Sequence, residues 1–142
     1  MLTVLVDADN LAPRRLQPAL SLLATVAHLH LVASGRPQAL RRVRWPLGSE
    51  LIESTGWQSA DLALAEAYSP SADPLMLISG DGDFALLAAR HPGPVLVVSS
   101  APSGRLRDGT TVVDPAIDGV GPIQDWMSAW GVELYVADQP SG

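Results

Sequence analysis

The 142-residue sequence contains neither cysteine nor lysine. Without cysteine the chain has no disulfides and no thiolate metal ligands, which fits a cytoplasmic protein. The lack of lysine excludes every mechanism that needs a lysine nucleophile or a lysine phosphate clamp, unless arginine takes that role. The sequence also lacks an apolar run of membrane-spanning length and a basic-then-apolar leader, so we expect a mature chain from Met1 without a membrane partner.

The net charge of −6 is unusual for a protein that binds nucleic acid, but the charges are unevenly distributed. Residues 1–48 contain six arginines and two acids, whereas the rest of the chain contains three arginines and thirteen acids. An acidic total is therefore compatible with a local basic face in the first third of the chain.

Short apolar runs alternate with segments of helical spacing along most of the chain. Strands are predicted at residues 3–6, 28–33, 50–54, 74–79, 94–98 and 111–113. Helices are predicted from residue 13 onwards and at residues 38–45, 60–68, 84–90 and 122–130. This alternation predicts one α/β domain over residues 1–142, with three layers and a central, mostly parallel sheet. Residues 138–142 are expected to fray.

Acidic residues follow two of the predicted strands. Asp7 ends the first strand, Asp81 and Asp83 follow the strand at 74–79, and Asp61 begins a predicted helix. Taken singly, such residues also fit helix caps and turns. Ligands of parallel sheets bind beyond the carboxyl ends of the strands, so Asp7 and Asp81 converge if the first and fourth strands are adjacent. Clustered carboxylates need a cation between them, and hard oxygen ligands suit Mg²⁺ or Mn²⁺.

Three segments resemble the signature segments of NYN domains, which are PIN-like metal-dependent ribonucleases. They are VLVDADNL at residues 4–11, ADLAL at residues 60–64 and LISGDGDF at residues 77–84. The third segment is the most specific of the three, and the resemblance extends over about residues 2–115. It implies a PIN-like three-layer fold and hydrolysis of RNA phosphodiester bonds with Mg²⁺ or Mn²⁺.

The resemblance also implies a site. Asp7, Asp61, Asp81 and Asp83 would form the metal-binding cluster, with Asn10 beside it. We expect Asp7 and Asp81 to be direct ligands, and Asp61 and Asp83 to bind the metal or its waters. Asn10 would orient Asp7 or contact a substrate phosphate.

Single-stranded or structured RNA would meet the basic face, for which the candidate residues are Arg14, Arg15, Arg36, Arg41, Arg42 and Arg44. In the segment at 41–45, three arginines stand beside Trp45, a combination that can bind a phosphate backbone and stack a base. A solvated helix face with Trp45 packed inward fits equally well. A homodimer would pool two sparse basic faces.

The chain departs from the family pattern in two places. Many NYN relatives have a lysine shortly before the second aspartate, where this sequence reads WQSA at residues 57–60. Many also have an acid about two turns into the next helix, where this chain has Ala65 and Ala67, with only Glu66 near. A catalytically weak or inactive module that binds RNA or protein is therefore the alternative function.

A phosphotransferase is a weaker alternative. Asp7-Ala8-Asp9 after a strand resembles the nucleophile motif of haloacid-dehalogenase phosphatases. Those enzymes place a lysine, or sometimes an arginine, on the phosphate, and phospho-receiver domains depend on a lysine too. The absence of lysine and the presence of Asn10-Leu11 after Asp9 disfavour both classes.

Overall fold

The computed structural model describes residues 1–9, 11–54, 64, 67–79, 88–99 and 111–135. Its strands are β1 (Leu2–Asp7), β2 (Leu29–Gly35), β3 (Glu50–Glu53), β4 (Leu75–Ile78), β5 (Val95–Val98) and β6 (Thr111–Val113). Its helices are α1 (Pro13–Leu23), α2 (Pro37–Arg41), α3 (Pro115–Asp118) and α4 (Gly121–Ala129). Leu64, Ala67 and residues 88–90 are helical as well.

The six strands form one sheet in the order β3-β2-β1-β4-β5-β6. All five strand pairings are parallel. The predicted α/β class with a central parallel sheet is therefore confirmed. Because β4 pairs directly with β1, with Val6 opposite Ile78, the condition for bringing the first and fourth strand ends together is met.

Two apolar cores lie on opposite faces of the sheet and define its three layers. Alternate residues of β1 face opposite ways, so Val4 and Val6 belong to the first core and Leu5 to the second. The first core is closed by residues of α1, α2 and α4, such as Leu20 and Trp126. The second core contains Leu64 and Ala88, together with half-buried Ala67 and Tyr68. The central strands are apolar throughout because both of their faces are covered.

Within the described residues, the predicted elements agree with the structure except at a few boundaries. The helix predicted at 38–45 ends at Arg41. The segment that follows it is bound to α1, because the Gln17 side chain takes both backbone hydrogen bonds of Arg44. The Gln17 side chain accepts the Arg44 backbone N–H at 2.7 Å and donates to the Arg44 carbonyl at 3.2 Å. Helix α3 was not predicted, since four residues are too few to show a helical period.

No helix in the described ranges is long and apolar enough to cross a membrane. The predicted frayed tail at 138–142 lies outside the described residues, as do most residues of the helices predicted at 60–68 and 84–90.

Candidate functional site

The order of the strands places a binding edge at the carboxyl ends of β1 and β4. From β1 the chain adds β2 and β3 on one side, and then β4, β5 and β6 on the other side of β1. The direction in which strands are added thus reverses between β1 and β4. Such a reversal leaves a crevice between the two neighbouring βα connections, where ligands of open α/β sheets bind. Asp7 ends β1 and Ser79 follows β4, so the two residues lie side by side at the reversal.

Asp7 is held in place by its own loop. Its side chain is 5% exposed, and its Oδ1 accepts the backbone N–H of Asp9 at 3.0 Å. The Oδ1 of Asp9 in turn accepts the backbone N–H of Arg36 at 3.2 Å. The Ala8 backbone N–H donates to the Ser34 carbonyl at 2.9 Å. These bonds tie the β1–α1 loop to the end of β2 and fix the direction of the Asp7 carboxylate.

A row of buried polar residues crosses the sheet at this edge, which we call the polar row. It consists of Ser54, Ser34, Asp7, Ser79 and Ser99, one at the end of each of β3, β2, β1, β4 and β5. Asp7 lies two residues after Leu5, and Ser34 lies two residues after Val32. Leu5 and Val32 belong to the second core, and residues two apart on a strand share a face. The side chains of Asp7 and Ser34 therefore point to the side of the sheet that carries the second core. The three other serines follow in the same alternation.

Ser34 is the most informative member of the polar row. It is fully buried, and its Oγ has no hydrogen-bond partner in the described part of the chain. It lies directly opposite Asp7 in the β1–β2 register. A buried hydroxyl without a partner costs about 1–3 kcal/mol, so proteins rarely keep one without a use for it.

The sequence interpretation found Asp7 but missed the serines. The pattern was nevertheless visible, because each serine directly follows a strand: Ala33-Ser34, Glu53-Ser54, Ile78-Ser79 and Val98-Ser99. A single serine after a strand carries little information. Only the parallel register shows that four of them share one edge with Asp7.

The other residues predicted for the metal cluster, Asn10, Asp61, Asp81 and Asp83, lie outside the described residues. Within the described ranges no three His, Cys, Asp or Glu side chains come together as a metal site. Asp7 is thus the part of the predicted cluster that the structure describes.

The predicted basic residues all lie around α1 and α2, on the side of the first core. Five of the six are exposed, and Arg15 is half-buried. Trp45 packs against the first core and donates its indole N–H to the Leu40 carbonyl at 2.8 Å. Of the two interpretations of this segment, the inward-packed Trp45 is therefore the one that the structure supports.

The buried histidine, His91, lies at the opposite edge of the sheet, before β5. Its Nε2 donates to the Asp73 carbonyl at 2.6 Å, and its Nδ1 accepts from the Tyr68 hydroxyl at 2.7 Å. Burial raises the pKa of Tyr68, which keeps this hydroxyl protonated. Both ring nitrogens are used, so His91 supports the loops at that edge.

No protein-family model matches this chain, and no curated protein matches it significantly. The three sequence segments and the geometry of the β1–β4 edge are therefore the basis for assigning a function.

Proposed function

We propose that this protein is a metal-dependent ribonuclease of the NYN type, with its active site at the carboxyl edge of β1 and β4. The observation that supports this most is the buried Asp7 at the strand-order reversal, inside a row of buried hydroxyls. Within this row the Ser34 hydroxyl has no partner among the described residues, and such a buried group costs stability without helping the core. The sequence of residues 77–84 supplies the further acids, Asp81 and Asp83, directly after β4.

The donor chemistry at this edge suits Mg²⁺ or Mn²⁺. Asp7 offers a carboxylate whose orientation is fixed by the Asp9 N–H, and the unpartnered Ser34 Oγ lies on the neighbouring strand. Both are hard oxygen donors, which these ions prefer. In the proposal Asp7 and Asp81 bind the ion, Asp61 and Asp83 bind it or its waters, and Asn10 orients Asp7 or meets a phosphate.

When bound, such an ion supplies an acidified water and stabilises negative charge on the phosphoryl group. The protein's own residues contribute position and hydrogen bonds. The loop bonds from Asp9 and Ala8 hold Asp7 in one direction. The Ser34 hydroxyl has no partner among the described residues, and it is fully buried. In the proposal it therefore donates to a buried water beside Asp7 and does not touch the substrate.

The alternative is an inactive module of the same fold that binds RNA or protein. One observation favours it: Ala67, near the position where many NYN relatives have an additional acid, packs against the second core. An alanine there supplies no carboxylate, which lowers the negative charge available to hold a metal ion unless the neighbouring Glu66 takes that place.

Cleavage of a mixed set of single-stranded and structured RNAs, with Mn²⁺, Mg²⁺ or chelator, separates the two functions. We expect cleavage that depends on the metal and is lost in Asp81→Asn, a nearly isosteric change that removes one charge. If the folded protein binds Mn²⁺ but cuts none of the RNAs, the binding module is the correct function.

A second prediction concerns Ser34→Ala. Because the hydroxyl it removes has no partner among the described residues, we expect the free energy of unfolding to stay constant or rise by up to about 1 kcal/mol. Cleavage should fall about tenfold, because the buried water proposed beside Asp7 loses one hydrogen bond, and one such bond is worth about 1 kcal/mol. Urea unfolding and initial cleavage rates provide the two measurements.

The control for this prediction is Ser54→Ala, the same change in the same polar row but directly after β3, the edge strand two strands away from Asp7. It should leave the cleavage rate within about twofold of the wild type. A large loss of stability in Ser34→Ala would show that the hydroxyl serves the fold and not the site.

A further inference from the structure

A cavity of about 570 Å³ opens beside the β1–α1 loop, between the start of α1 and α2. Its volume falls in the range of small-molecule sites, about 300–1,000 Å³. Asp9 lines the cavity and donates its backbone N–H to the Asp7 carboxylate, so the cavity wall and the proposed catalytic edge share one short loop.

The cavity is an open cleft with apolar side chains in its wall and polar ones at its rim. Leu11, Leu16 and Val43 are buried and form its interior walls. Arg36, Gln38, Arg42 and Asp9 are exposed and stand around the opening. A ligand that satisfies both parts has a flat apolar body, hydrogen-bonding edges and a charged group.

The charges at the rim favour an anion. The guanidinium groups of Arg36 and Arg42 make no hydrogen bond or ion pair with any residue that the structure describes. Asp9 is the one carboxylate among the lining residues, and its Oδ1 already accepts the Arg36 backbone N–H. Two unengaged guanidiniums against one carboxylate leave a net positive rim, which suits a phosphate.

We propose that this cavity binds one unpaired nucleotide of the RNA strand that is cut at Asp7, and so selects single-stranded RNA; this inference rests on the proposed ribonuclease function. The base enters against Leu16 and Val43, and its phosphate meets Arg42 and Arg36. Gln38 and Asp9 present an amide and a carboxylate to the edge of the base. A base can enter such a cavity only when it is neither paired nor stacked in a duplex.

The path of the strand follows from the two faces of the sheet. Asp7 points to the side of the second core, whereas the cavity lies among residues of the first core. The Asp7 carboxylate and the cavity come together at residues 7–9, where the Asp9 backbone N–H donates to the Asp7 Oδ1 at 3.0 Å. In the proposal, a single-stranded RNA crosses the carboxyl edge of the sheet over this loop. One of its nucleotides then enters the cavity, and the adjoining phosphodiester lies at Asp7.

The test measures binding in chelator, so that it does not depend on cleavage. A short fluorescent single-stranded oligoribonucleotide is titrated with wild type, Arg42→Gln, Ala39→Phe and Arg90→Gln, and anisotropy is recorded. Ala39→Phe fills the cavity without changing charge. Arg90→Gln is the matched control, because Arg90 is an exposed arginine outside the basic face and does not line the cavity.

We expect Arg42→Gln to weaken binding about tenfold, as the loss of a charge-assisted hydrogen bond does, and Arg90→Gln to weaken it less than about twofold. Ala39→Phe should weaken it as much as Arg42→Gln, and the wild type should prefer the single strand to the duplex with its complement. Equal losses in Arg90→Gln and Arg42→Gln would mean general attraction to phosphates and would overturn the proposal.

Two further outcomes also overturn it: equal affinity for strand and duplex, or adenosine monophosphate binding as tightly as the strand, which would indicate a site for free nucleotides. The result is separate from that of the cleavage assay. Selective loss in Arg42→Gln without any cleavage by the wild type would support the cavity and refute the nuclease. Cleavage with equal losses in both arginine variants would support the nuclease and refute the cavity.

Discussion

Asp7→Asn should abolish metal-dependent RNA cleavage, with a loss of about a hundredfold or more, while the protein remains folded. The change removes the negative charge at the strand-order reversal but keeps an oxygen that can accept the Asp9 N–H. Since Asp7 is 5% exposed, losing a buried charge does not cost hydration in the folded state. Initial cleavage rates and a Mn²⁺ titration followed by electron paramagnetic resonance measure the two effects.

The control for Asp7→Asn is Asp125→Asn, the same substitution at an exposed position of α4. It should change neither cleavage nor Mn²⁺ affinity, because only the total charge is altered. If Asp7→Asn cuts RNA at the wild-type rate, catalysis does not occur at this edge, and the proposed function fails together with its site.

Gly35→Ala should reduce both stability and cleavage, because Gly35 lies where the β1–α1 loop crosses the end of β2. A Cβ at this position would stand 2.9 Å from the Ala8 Cβ and 3.4 Å from the Asp9 Oδ1. Ala8 cannot rotate away, so the loop itself has to move. We expect the free energy of unfolding to fall by about 1–3 kcal/mol. Displacement of Asp7 should lower the cleavage rate about a hundredfold.

Gly121→Ala is the matched control, because a Cβ on this first residue of α4 meets nothing within 4 Å. Its unfolding midpoint should stay constant or rise slightly, as alanine restricts the unfolded chain. Urea denaturation of both variants, with cleavage assayed in parallel, makes the comparison. A Gly35→Ala variant as stable and active as Gly121→Ala would show that the loop adapts and that the close approach has no role.

The strands were the most predictable part of the fold. The apolar runs at 74–79 and 94–98 became β4 and β5, since strands buried on both faces must be apolar throughout. The end of α2 was less predictable. It depends on Gln17, which contacts a segment 27 residues later in the chain, and no local pattern encodes that contact.

For the candidate site, the sequence identified Asp7 as the acid at the end of the first strand. It did not identify Ser34, whose importance comes from its place opposite Asp7 in the β1–β2 register. Nor did it place Arg36 and Arg42, the two caps of α2, at the rim of one cavity, because the other wall of that cavity comes from the β1–α1 loop and α1.

The sequence by itself determined that this is an α/β protein, with acids after two apolar strands and with its arginines concentrated in the first third. These properties are local, so they can be read from the spacing of apolar residues, the length of the apolar runs and the residue types. The tertiary structure alone decided that β4 lies beside β1 and that the serine-ending strands share one edge. Strand order is fixed by the burial of both sheet faces under helices, which is a property of the whole chain.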